Sequence, residues 1–350
     1  MSDQPAGLPR LDGHALLTTW QLVPGWSLVA VALLAAYVAG LVACRHHGVR
    51  AVPPVRVASF VAGLALLLLT LSSAIGGYAM SALWVHMIEH LLLIMVVPAL
   101  LVLGHPLTVL RSAAATRGHG ATVDRVLRSG PVSVLTHPLV AVLQYSVVIV
   151  ATHLTSFMDV MASHHWVMVA EQVLYVVSGY FFLLPLLGHE PIRWNVPQLA
   201  RIGAMLLAMT PDTIVGIVLL QASHDMFPVM EGMHPAWAPP PLDDMQIAGG
   251  LMWVAGDGLM MVFGVGLTIA LISRPDSTNI LGAGLERVRR ASLTSQVSRG
   301  DSAQTTFDPD SDVDDDDQML DAYNRMLGRL SQGGTTGPRV PVDGSRTDPE

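Results

Sequence analysis

The chain has 350 residues, 51 % hydrophobic and 13 % charged, with a mean hydropathy of +0.50 and a formal net charge of -8. A soluble globular domain carries about a quarter charged residues, so this balance points to lipid; the net charge misleads, because much of the acid sits in one terminal run, and no nucleic-acid partner is expected. Cys44 is the single cysteine, which excludes an internal disulfide, thiolate metal sites, CxxC redox motifs and c-type haem attachment, and leaves His, Met and carboxylates as the only metal ligands.

All nineteen basic residues are arginine, a bias expected of a GC-rich bacterial genome. The first residues have no basic stretch ahead of the first apolar run, so they do not read as a cleaved signal peptide. Spanning a bilayer takes about twenty apolar residues in a helix. Seven stretches qualify: Trp26–Ala43, Val57–Tyr78, Leu83–Leu103, Val134–His153, Trp166–Leu187, Leu199–Gln221 and Gln246–Ile272. The expected fold is an all-α, polytopic membrane bundle, with residues 1–25 outside, 26–273 forming the membrane domain and 274–350 a cytoplasmic tail.

Arginine placement sets the orientation. The first connection holds Arg45, Arg50 and Arg56, the third Arg111, Arg117, Arg125 and Arg128, and the fifth Arg193 and Arg201. Arg274, Arg287, Arg289 and Arg290 follow the seventh span. The second, fourth and sixth connections carry none, and the N-terminal segment has only Arg10. Every other connection is therefore basic, as seven spans with an external N-terminus require. Asp308 to Asp317 then form an acidic run, expected to be disordered because like charge and low hydrophobicity leave little to bury. Met319, Leu320, Tyr323, Met326, Leu327 and Leu330 recur at helical spacing within 317–330, which suits a short amphipathic helix, docked on a membrane or partner or merely transient.

The third span carries His86, Glu89 and His90. Spacings of three and four place them on roughly one helix face, about 5 to 10 Å below the outer surface. Ionisable groups are costly in lipid and face the bundle interior, so a ligand or proton-handling role outweighs simple packing here. The fourth connection adds His153, Met158, Met161, His164 and His165, with Glu171 just inside the fifth span. The sixth holds His224, Met226, Met230, Met233 and His234 within eleven residues. Thioether and imidazole without thiolate suit copper, Met favouring Cu(I). A loop resting its methionines on the membrane surface would carry the same residues. Two further acids lie within spans, Asp212 in the sixth and Asp257 in the seventh, and either could move protons or, paired with backbone or Gln144, fix packing. Haem stays open, because the His residues on facing spans match in depth only in part. His46, His47, His119, His137 and His189 show no comparable grouping. P-loop, Gly-x-Ser-x-Gly, dinucleotide and His-Glu-x-x-His motifs are all missing, so no catalytic reaction is indicated.

The run His86-Met-Ile-Glu-His90-Leu-Leu-Leu, then Val97-Pro98 and Gly104-His-Pro106-Leu, resembles the CtaG-type cytochrome c oxidase assembly factor family, in an actinobacterial-like form. His137-Pro138, His153, His164-His165, Glu171, Ser178-Gly179 through Pro185, and Gln246, Gly249-Gly250, Met252-Trp253 and Asp257 extend the similarity from about Trp20 to Ser273. The family often has a neutral residue where Glu89 stands and a second proline where Ala99 stands. The resemblance implies a multi-pass protein of the bacterial cytoplasmic membrane, needed for an active haem-copper oxidase. It also implies copper delivery to the oxidase's catalytic subunit, with copper chaperones as further partners. On that reading His224, Met226, Met230, Met233 and His234 capture copper, and His86, His90, His153, His164 and His165 hold it. Glu89, Glu171, Asp212 and Asp257 then tune charge or carry protons. A membrane copper transporter and a membrane scaffold or sensor are the rival readings.

Overall fold

The computed structural model describes residues 9–187 and 190–272, together with Asn324. The chain divides into two units, Met1–Ala270 and Leu271–Glu350. Of the second, only Leu271, Ile272 and Asn324 are described, so the acidic run and nearly all of the amphipathic stretch lie outside the described residues.

The described residues are helical throughout, without strands. A short α1 (Gly13–Thr18), capped by Asp12 accepting from the Ala15 N–H at 2.8 Å, precedes α2 (Pro24–His46). Then come α3 (Pro54–Ser72), α4 (Ala74–Tyr78) and α5 (Leu83–Leu91). A single π-helical stretch, Leu92–Val96, joins α5 to α6 (Val97–Leu103). The next helices are α7 (Pro106–Ala115), α8 (Gly120–Leu127), α9 (Gly130–Leu135), α10 (Pro138–His153) and α11 (Phe157–Ser163). Two long helices follow, α12 (His165–Leu187) and α13 (Gln198–Leu220), and a 3₁₀ segment Pro228–Met233 precedes α14 (Pro241–Ile272). Proline opens many of these helices, at the position where a missing N–H costs nothing.

Six helical stretches are long and apolar enough to cross a membrane, and a seventh is added if α10 and α11, bent by 68° at their junction, count as one span. The expected seven runs thus reappear, with two differences. The last helix begins at Pro241, five residues before Gln246, because the proline run ends in a residue that can open a helix and Asp243 and Asp244 complement its N-terminal dipole. The fourth is the shortest, since His137-Pro138 starts it late and residues 130–135 form the separate α9.

Small residues set how closely the helices approach. A Cβ on Gly179 of α12 would lie 1.8 Å from the Ile94 carbonyl oxygen, so α12 rests directly on the π-helical stretch. Pro98 has no N–H to offer Ile94 four residues back, and the looser helix there leaves room for that contact. Gly216 of α13 and Gly249 of α14 also face each other closely: a Cβ on either would meet the other's carbonyl oxygen within 2.9 Å. The core lies among α3, α5, α6, α10, α12 and α13, while α2 turns Leu28, Val31, Leu33 and Val38 outward as a lipid-facing helix would.

Candidate functional site

Three elements converge on one buried cluster near the end of the bundle where α5 begins. His86 and His90, four residues apart on α5, have ring centroids 3.9 Å apart with the planes tilted by 56°. The last turn of α10 brings the His153 ring to 5.4 Å from His90, and the first turns of α12 place Glu171 Oε2 3.6 Å from His90 Nε2. His86, His90 and Glu171 each offer a ligand atom, all within 4.8 Å of one another. All four side chains are buried.

Their hydrogen bonding is unusual for buried groups. His86 Nδ1 and Nε2, His90 Nδ1, His153 Nε2 and Glu171 Oε1 have no hydrogen-bond partner. More than nine in ten buried polar groups in folded proteins do find one, and an unmet buried group costs about 1–3 kcal/mol. These five atoms lie on four neighbouring buried side chains. A second layer meanwhile fixes the cluster in place. His153 Nδ1 lies 2.9 Å from the Ile149 carbonyl, so Nδ1 carries the proton in the neutral ring and Nε2 keeps its lone pair. Thr152 Oγ1 bonds the Tyr175 hydroxyl at 2.6 Å, and the Tyr175 ring lies tilted against His90, centroids 4.2 Å apart.

Glu89 turns away from the cluster. Its Oε1 accepts from Gln172 Nε2 at 3.0 Å, and Gln172 Oε1 accepts from Trp26 Nε1 at 2.9 Å, a chain that ties α5, α12 and α2 together. Asp212 accepts from the Tyr145 hydroxyl at 2.7 Å, and Asp257 from Thr213 Oγ1 at 2.8 Å. Gln144, the partner considered for these acids, instead donates to the Ala141 and Ser178 carbonyls, so Tyr145 takes that role. Pro211, inside α13, has no N–H to give the Leu207 carbonyl one turn back.

The remaining candidates stay outside the cluster. His164 and His165 are exposed, and Met158 and Met161 are packed in the core. His224 and Met233 are exposed, Met226 is half-buried, and the side chain of Met230 lies outside the described residues. His234 Nε2 sits 3.4 Å from Asp244, whose carboxylate also accepts from the Leu83 and Trp84 N–H groups at 2.8 and 3.1 Å. Asp244 of α14 thus caps α5, the helix that carries His86 and His90, and His234 docks the sixth connection there. The fourth and sixth connections also meet, α11 packing on Pro228–Met233.

Residue spacing alone did not reveal Tyr145, Thr152, Tyr175 or Met87, Met95 and Met252. The tyrosines left one signal, a hydroxyl inside an apolar span that must find a partner. The methionines left none, because a buried Met reads as packing.

A model of the cytochrome c oxidase caa3 assembly factor family (Caa3_CtaG) matches residues 35–274, the greater part of the membrane unit. Uncharacterized proteins of Mycobacterium bovis, Mycobacterium tuberculosis and Mycobacterium leprae are each 27 % identical over 336 residues, covering 94 % of this chain and 46 % of theirs. The chain therefore spans about half the length of those relatives. No solved structure matches it. The match across the helices that build the cluster shows that the chain belongs to the cytochrome c oxidase caa3 assembly factor family.

Proposed function

We propose that this protein serves a haem-copper oxidase by receiving copper at the end of the bundle where α5 begins and passing it to the oxidase's catalytic subunit. The observation that carries this reading is the cluster of His86, His90, His153 and Glu171 with its five unpartnered buried atoms. Copper is cargo here and no bond of a substrate is broken, so the role is non-catalytic.

Two imidazoles and a carboxylate within 4.8 Å match a first-row cation in both ligand type and reach. Glu171 supplies the negative charge that lets a cation rest in a dry site, where the neutral rings alone would leave its charge uncompensated. The His153–Ile149 and Thr152–Tyr175 bonds hold the supporting ring and aromatic in register, as outer-layer partners do at metal sites. On this reading His224 and Met233, exposed on the sixth connection, and His164 and His165, exposed on the fourth, meet copper first. By the arginine pattern this end lies outside the cytoplasm, where copper for the oxidase would be handled.

The test is a copper-limited deletion strain complemented with wild type or with His86→Ala/His90→Ala. Wild type should restore oxidase activity and copper content, and the double variant, although present in the membrane, should restore neither. Full rescue by the double variant would remove the cluster from the function. The transporter reading draws on Asp212 and Asp257, the one bonded to Tyr145 and the other to Thr213. It requires cytoplasmic copper to change on deletion, and an unchanged level would dismiss it.

A further inference from the structure

The cluster of two imidazoles and a carboxylate is a nitrogen-and-oxygen site, suited to borderline divalent ions better than to Cu(I). Directly beside it lies a small cavity of about 10 Å³, lined among others by Met87, Met95, Met252, His90 and His153. That is room for about one water-sized occupant. The three methionines are 1 %, 1 % and 3 % exposed.

Helix geometry explains how two of them come to share the cavity. Met87 and Met95 are eight residues apart, which in an unbroken α-helix would turn them about 80° from each other. The π-helical stretch Leu92–Val96 lies between and contains Met95. A π-turn absorbs one extra residue, so Met95 returns to within about 20° of the line of Met87. Met252 arrives from α14 on the opposite wall. His153 completes the set: Nδ1 is held by the Ile149 carbonyl, and Nε2 is buried without a partner in a ring that lines the cavity.

We propose that this cavity is a second metal position, selective for Cu(I), in which Met87, Met95 and Met252 give thioether ligands and His153 gives Nε2. The proposal rests on the reading of the protein as a copper carrier and adds the oxidation state it carries. His90 lines the cavity and also belongs to the outer cluster, so the two positions share a wall and an ion crosses between them by exchanging ligands. Thioethers bind Cu(I) in preference to Zn(II) or Cu(II), so the inner position filters what the outer cluster admits. Asp212 also lines the cavity, its carboxylate accepting from the Tyr145 hydroxyl, so one acid stands beside the thioethers and the imidazole, and the single charge of Cu(I) is less costly to bury there than that of a divalent ion.

The experiment is copper K-edge absorption spectroscopy on the purified full-length protein loaded with Cu(I), compared with Met87→Leu/Met95→Leu/Met252→Leu and with the single variant Met252→Leu. Leu for Met nearly conserves volume, so the helices keep their packing. The expected result is sulfur scattering in the wild type that is reduced in Met252→Leu and absent in the triple variant. Cu(I) affinity should fall at least about tenfold, while Cu(II) or Zn(II) affinity stays unchanged. Sulfur scattering that persists in the triple variant would assign it to methionines elsewhere and overturn the proposal. Wild-type Cu(I) bound through nitrogen and oxygen only would overturn it too, leaving the outer cluster standing. A wild type that binds neither Cu(I) nor Cu(II) would instead defeat the carrier reading itself.

Discussion

Glu171, in the first turns of α12, and Glu190, three residues past its end, are buried to similar degrees (2 % and 7 % exposed) and bonded in opposite ways. Glu190 Oε1 accepts from the Leu107 N–H at 3.2 Å, and Oε2 from the Thr108 N–H and hydroxyl at 2.8 and 2.6 Å. It caps α7, where the left-handed His105 and Pro106 leave the first N–H groups exposed to a partner. Glu171 has no donor on Oε1 and meets only imidazoles. A carboxylate saturated by backbone donors holds helices in place. One that faces imidazoles without a donor is left for an occupant on the reading proposed above, at a cost in stability that the rest of the fold must offset.

The largest expected effect strikes both ends at once. Gly179→Ala puts a methyl into the Ile94 carbonyl and lifts α12 off the π-helical stretch, costing about 3 kcal/mol or more, at the upper end of overpacking. Size-exclusion profiles of detergent extracts should show little monodisperse protein; normal accumulation would mean that the close approach is dispensable.

Next in size is Glu190→Ala, which leaves the α7 donors unmet and lowers stability by about 1–3 kcal/mol with copper binding untouched. Burial pushes the Glu190 carboxyl above its ordinary range, against the hydrogen bonds from Thr108 and Leu107 that pull it down. The folded state therefore keeps this proton longer than the unfolded chain. Stability from this group is present at low pH and declines as pH rises from the ordinary carboxylate value of 4.5 towards the raised one. Glu190→Gln should flatten thermal-unfolding midpoints across that window, and an unchanged slope would show that Glu190 is not its source.

Tyr175→Phe sharpens the contrast from the other end of α12. It removes one hydroxyl bonded to Thr152 and leaves the ring against His90, so copper affinity should drop about tenfold while the unfolding midpoint barely moves. A large loss of stability with normal copper binding would make Tyr175 a packing residue like those around Glu190.

The smallest effect belongs to Asp124→Asn. Arg111 hydrogen-bonds Asp124 and holds its carboxyl below the usual range, but the pair lies at the surface of the third connection. Whatever it adds is lost as pH falls through the lowered value, and water and salt screen it, so the unfolding midpoint should stay within error. A clear shift would show that surface pairs at this end matter as much as buried ones.

Much of the architecture was legible in the residues. Twenty-residue apolar runs must become helices in lipid, because no other local structure satisfies the backbone there. The alternation of arginine among the connections needed only counting. His86 and His90 were legible as a pair because four residues make about one helical turn, and Glu171 stood out as an acid at the edge of an apolar run. Glu89 misled for the same reason: spacing places a side chain on a face but does not name its partner, and Gln172 draws it aside. His164 and His165 follow His153 closely in sequence, yet the 68° bend between α10 and α11 carries them out to the surface.

By itself the sequence determined the helical spans, their polar interruptions and the family, since each rests on local composition or on motifs within one segment. Only the tertiary structure decided that His86, His90, His153 and Glu171 meet, that Asp244 caps the helix bearing two of them, and that three methionines wall one cavity. Those contacts join residues up to about 160 positions apart. They depend on how closely helices approach at Gly179 and on one extra residue in a π-turn, and neither leaves a periodic trace in the chain.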